Sequence, residues 1–129
     1  MKKVIAVVVL TVTTVACAGR VAQVYVEADS AAVASLSKFK ADKDARCDAG
    51  QIPASACQAV AQAFVPVWDA YLAVNSLITA EAPIKEVDAA VVKFRQAAAD
   101  LRDAVNKIEG NARQILLDFI EQALRRFDR

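Results

Sequence analysis

The chain has no histidine in its 129 residues, only three glycines and three prolines, one methionine and 6% aromatic residues. Histidine is the commonest side chain that exchanges protons near neutral pH, so its absence removes the usual general acid and base. It also removes the usual zinc and haem ligands, since the only methionine is Met1. Glycine-rich phosphate loops and nucleophile elbows need closely spaced glycines, and here Gly19, Gly50 and Gly110 stand far apart. Among the acids, Asp100 and Asp103 share a helical face but lie between Lys93, Arg95, Arg102 and Lys107, the setting of a solvated ion-pair face. Asp69, next to Trp68, is the one carboxylate placed for burial, with the polar edge of its helix as the plainer expectation. A non-enzymatic protein without cofactor or metal is therefore expected.

At the start, Lys2 and Lys3 precede an apolar run from Val4 to Val15 that is broken only by threonines, then Ala16-Cys17-Ala18-Gly19. A positive start, an apolar stretch of about 7 to 15 residues and small residues after it form an export signal. The run is short of the roughly 18 apolar residues of a spanning helix, and Arg20, Gln23 and Glu27 soon follow.

Thr14-Val15-Ala16-Cys17 resembles the lipobox of bacterial lipoproteins, in which small residues precede a cysteine that receives lipid and becomes the new N-terminus. The resemblance covers the first 19 residues, and Thr14 stands where that family usually has leucine. It implies a signal peptide at 1–16, lipid on Cys17 and a single domain at 17–129 tethered to a membrane. Several acyl chains, at about 0.8 kcal/mol per buried methylene, hold a protein to a bilayer. In Gram-negative lipoproteins an aspartate after the cysteine retains the protein in the inner membrane. Ala18 at that position points to the periplasmic face of the outer membrane. The pattern Ala16-Cys17-Ala18 also suits cleavage by ordinary signal peptidase, which would release the domain without lipid.

With Cys17 occupied, Cys47 and Cys57 remain as a pair around Asp48-Ala49-Gly50-Gln51-Ile52-Pro53, a turn-like stretch between two helical patterns. An exported protein seldom leaves thiols unpaired, so a disulfide closing a helical hairpin is expected. Two cysteines without histidine make an incomplete zinc set.

Beyond the leader the periodicity is helical throughout. From Ile84 the apolar residues Val87, Val91, Phe94, Ala98, Leu101, Val105 and Ile108 recur at alternating steps of three and four, an a/d seam as in a coiled coil. Pro83 suits the start of that helix and Gly110 its end. After Asn111, a cap with Gln114 three residues on, Leu116, Ile120, Ala123 and Phe127 form a further stripe, flanked by Ile115, Phe119 and Leu124. Gly110-Asn111 is read either as a turn between two helices or as a bend in one.

Upstream, Ser55 and Gln58 form a capping box before Val60, Phe64, Val67, Tyr71, Val74 and Ile78, with Trp68, Leu72 and Leu77 broadening the stripe. Pro66 inside it predicts a kink near Gln62 to Pro66. The first helix is expected from Ala22 or Asp29 to Arg46, with Val26, Val33, Leu36 and Phe39 inward.

These patterns predict an all-α fold, a small antiparallel bundle of three or four helices. Losing Lys2 and Lys3 with the leader reduces 16 basic residues to 14 against 15 acidic ones, a balance that argues against nucleic acid. The function expected is a membrane-tethered envelope scaffold or interaction module that contacts a protein partner or its own copies. Two alternatives stand beside it. One is a periplasmic carrier for an apolar small molecule, with Phe64, Trp68 and Tyr71 lining an apolar pocket. The other is a phage- or plasmid-encoded envelope protein.

Overall fold

Heptad alternation over long stretches, with few glycines and prolines to interrupt it, leaves helix–helix packing as the only way to bury the apolar stripes. The computed structural model describes residues 2–125 and 127, with side chains from Tyr25 onward, and shows that solution: α1 (Lys2–Asp48), α2 (Ala54–Thr79), α3 (Ile84–Asn106) and α4 (Asn111–Arg125). There is no strand among the described residues. Gly110-Asn111 is a true boundary, because α3 stops at Asn106 and α4 starts at Asn111.

Contacts between elements fix their directions. Cys47 meets Cys57, and Phe39 stacks on Phe64 at 5.5 Å between ring centroids, so α1 and α2 run antiparallel. Arg102 pairs with Glu121 at 2.6 Å while Arg95 donates to the Phe127 carbonyl at 2.7 Å, so α3 and α4 do the same. The most extensive interface joins α2 to α3. Ala56, Ala63 and Ala70 on α2, and Ala90, Ala97 and Ala104 on α3, border the core at seven-residue spacing. Alanines at this spacing let two helix backbones approach closely, where bulkier side chains would separate them.

The α2 stripe is buried as its spacing predicts, from Val60 to Ile78, and so are the stripes from Val87 to Ile108, just past α3, and from Leu116 to Phe127, just past α4; Ile84, expected to open the α3 seam, is 37% exposed because it stands at the first residue of the helix. On α1 the seam is Tyr25, Ala28, Ala32, Leu36 and Phe39; Leu36 and Phe39 are buried as expected, Val33 is half-buried against the core, and Val26 is 48% exposed. The alanines carry little apolar area, so the valines dominate a reading of the sequence, yet small residues suit the close face. The helix also begins far upstream of Ala22 and ends at Asp48. Lys43 follows Phe39 on the seam and is buried along its stem, while its Nζ reaches Asp44 at 2.6 Å.

One helix end departs from expectation. Ser55 and Gln58 make no capping box: Pro53 is the N-cap of α2, without a side-chain cap bond, and its carbonyl accepts from Cys57 N–H at 2.9 Å. Proline fixes φ, here −57°, and the extended ψ of 144° supplies the non-helical turn of an N-cap, so the backbone enters the helix without a side-chain cap. Pro66 lies inside α2, which is continuous from Ala54 to Thr79. Pro66 and Gln62 are both exposed, so the Gln62 carbonyl that lacks its N–H partner has water available.

Both hairpin turns on α2 use the same cap. Gln51 N–H bonds to Arg46 O at 2.9 Å and Gly50 N–H to Cys47 O at 3.1 Å, with Gly50 at φ 72°. After α2, Ala82 N–H bonds to Leu77 O at 2.9 Å and Glu81 N–H to Ile78 O at 3.1 Å, but here the left-handed residue is Glu81 at φ 54°. A left-handed non-glycine residue costs roughly 1–2 kcal/mol. Glu81→Gly is therefore expected to raise stability by about 0.5–1 kcal/mol in urea unfolding, despite glycine's greater freedom in the unfolded chain.

Candidate functional site

Cys17 and the leader lie outside the residues whose side chains are described. Among the described residues no helix is long and apolar enough to cross a membrane, and no group of three histidine, cysteine, aspartate or glutamate residues is placed to hold a metal ion. Cys47 and Cys57 form a disulfide with Cα atoms 6.1 Å apart, stapling the α1–α2 turn.

Phe64, Trp68 and Tyr71 fall on the side of α2 that meets α1. Their rings form a row, with centroids 6.2 Å apart from Phe64 to Trp68 and 5.3 Å from Trp68 to Tyr71. Phe39 extends the row from α1 through Phe64. Phe64 and Tyr71 are buried, while Trp68 stands half-buried at the margin of the core. The rings thus spend much of their surface on one another. A cleft of about 290 Å³ lies elsewhere, between α3 and α4, lined by Arg95, Ala99, Arg102, Glu121, Leu124 and Arg125. Two of its guanidiniums are engaged within the fold, Arg95 at the Phe127 carbonyl and Arg102 at Glu121.

Asp69 is exposed, on the polar edge of α2. The carboxylate held between helices is Asp29, which the sequence did not single out: Tyr71 O–H donates to it, and one of its oxygens, Oδ1, is buried without a partner. Burial pushes Asp29 above its ordinary 3.8, opposed by the Tyr71 hydrogen bond. Burial, followed by the nearby Asp29 charge and the shared hydrogen bond, pushes Tyr71 up to about 12. Tyr25 O–H likewise donates to Asp88, so both tyrosines of the chain tie α1 to another helix.

A tyrosine whose folded pKa is raised contributes stability that is complete below about 10 and is lost as pH rises through about 12. The melting temperature should therefore fall between pH 10 and 12, and Tyr71→Phe should flatten that fall. At pH 7 the same variant is expected to lose about 1–3 kcal/mol, because Asp29 is left without its donor. Asp29 has the same sign at acid pH. Its contribution is complete below 3.8 and is lost as pH rises through its elevated folded value, so acidification does not destabilise the fold through Asp29.

The outward side of α2 differs from every other helix face. Asp69 is the only charged residue between Ala54 and Thr79, whereas α1, α3 and α4 all carry both signs of charge. Val65 is 57% exposed and Leu72 42% exposed. Leu72 therefore does not broaden the core stripe. With Ala61, Val65 and Trp68 it forms a second seam, stepping four, three and four residues along the side toward α1. The register set by Cys47–Cys57 and Asp29–Tyr71 brings Val33 level with Trp68 and Val26 within a turn of Leu72. The result is an apolar strip on two neighbouring helices, Val26 and Val33 beside Val65, Trp68 and Leu72. Isolated exposed apolar residues are ordinary; here they recur at heptad spacing on two adjacent helices. The spacing is visible in the sequence; the side of the core boundary on which Leu72 falls is not. No family model, curated protein or solved structure matches the chain.

Proposed function

We propose that this chain is a non-enzymatic, membrane-tethered interaction module of the cell envelope, exported by residues 1–16, held by lipid on Cys17 and contacting protein through the α2 strip. The observation that carries the reading is the outward face of α2, where Asp69 is the one charged residue and Val65 and Leu72 are 57% and 42% exposed. A fold that met only solvent would gain nothing from keeping this face so poor in charge, and exposed apolar patches are a common mark of a protein contact. The lipobox-like Thr14-Val15-Ala16-Cys17 supports the tether, and Ala18 supports sorting to the periplasmic face of the outer membrane. The Cys47–Cys57 disulfide suits an oxidising compartment.

Fractionation and intact mass of the full chain from an exporting bacterium test the tether. The expected result is a membrane-bound species that starts at Cys17 and carries acyl groups, with Cys17→Ala moving to the soluble fraction or remaining uncut. A soluble wild-type species without lipid would refute the tether. For the contact face, Leu72→Lys should leave the unfolding free energy within about 0.5 kcal/mol of the parent, as for other exposed positions. It should also abolish any association the parent shows.

A further inference from the structure

The charge pattern narrows what can cover the α2 strip. Every outward face of α1, α3 and α4 among the described residues carries charge: Lys38, Lys40 and Asp44 on α1; Lys85, Lys93 and Asp100 on α3; Arg113, Asp118 and Glu121 on α4. Pressing such a face onto Val65, Trp68 and Leu72 would desolvate ions against a surface that offers them no counter-charge. The face that fits without this cost is another of the same kind, and within this chain that is the α2 strip itself.

We infer that the strip is covered by a second copy of this chain, through a two-fold contact of α2 with α2. The orientation of that contact rests on the tether proposed above. Two copies that enter one bilayer at the same end of their bundles can be related only by an axis along the bilayer normal, so their α2 helices run parallel. A parallel pair sets Val65 against Val65, Trp68 against Trp68 and Leu72 against Leu72, the like-with-like registry of a parallel a/d seam. Asp69 sits at the edge of the seam and not on its centre line, so each copy's only α2 charge stays hydrated. The strip is modest for a stable soluble dimer. Confinement to a membrane surface raises effective concentration, which lets a small interface suffice.

Cysteine cross-linking of the full chain in isolated envelopes tests this contact, with the unsubstituted chain as baseline. Val65→Cys should oxidise to a reducible species of twice the chain mass. Val92→Cys, on α3 and similarly exposed at 53%, should give several-fold less. Adding Leu72→Lys to Val65→Cys should abolish the dimer without shifting the melting curve. Equal yields from Val65→Cys and Val92→Cys would overturn the inference, as would an adduct of Val65→Cys with a protein of different mass. Val65→Cys paired only with Trp68→Cys would overturn the parallel orientation. The Cys17→Ala fractionation reads the tether separately: if the tether fails and Val65→Cys still yields the homodimer, the contact stands and only the argument for its orientation falls.

Discussion

Phe94→Ala is expected to destabilise the fold by about 3–5 kcal/mol, read as a lower urea midpoint at unchanged slope. Phe94 is fully buried on α3, and its ring meets that of Phe127 edge to face at 5.6 Å. Phe127 in turn lies 6.3 Å from Tyr25, so three rings join α3, the end of α4 and α1 at one end of the bundle. Truncation removes the transfer energy of a whole ring and leaves a cavity that three helices cannot close without shifting together. Since a domain of this size has a total stability of about 5–15 kcal/mol, the loss is a large part of the whole. Val92→Ala, two residues away but more than half exposed, should stay within about 0.5 kcal/mol of the parent. Equal effects from the two substitutions would refute the placement of the α3 seam.

Removing the disulfide with the Cys47→Ala, Cys57→Ala pair is expected to cost about 2–3 kcal/mol and about 10 °C in melting temperature. The two cysteines are 10 residues apart in sequence, so the bond closes a short loop in the unfolded chain, and loop entropy sets the size of the effect. Reducing agent should bring the parent to the melting temperature of the double variant and leave the variant itself unchanged. The staple sits at the α1–α2 turn, while Phe94, Phe127 and Tyr25 gather at the far end. The two effects should therefore add within about 0.5 kcal/mol in the triple variant, since distant sites share no partners. A sum that falls well short would mean that the two ends unfold independently.

The positions the sequence predicted best are those where large apolar residues keep strict three-and-four steps. Val60 to Ile78 on α2 and Val87 to Ile108 on α3 face the core because a helix has one angular period and these side chains bury the most area. The cysteine pair was readable by elimination and by the turn between its members. On α1 the sequence marks Leu36 and Phe39 but not Ala28 and Ala32, whose apolar signal is weak beside that of the exposed Val26. Nor did the sequence reveal the left-handed Glu81, since the cap that α2 needs is set by where α3 must begin.

The sequence by itself determined the helical class, most of the inward-facing residues of α2, α3 and α4, and the short turn that holds Cys47 near Cys57. All of these follow from local period, side-chain area and short loop closure. Only the tertiary structure decided how wide each stripe is. Whether Leu72 and Val65 belong to the core or to a second seam depends on where the neighbouring helices lie, and that is a property of the packed bundle. The same holds for Asp29: nothing near it in sequence marks it, and only the antiparallel approach of α2 brings Tyr71 to its carboxylate and excludes water from its other oxygen.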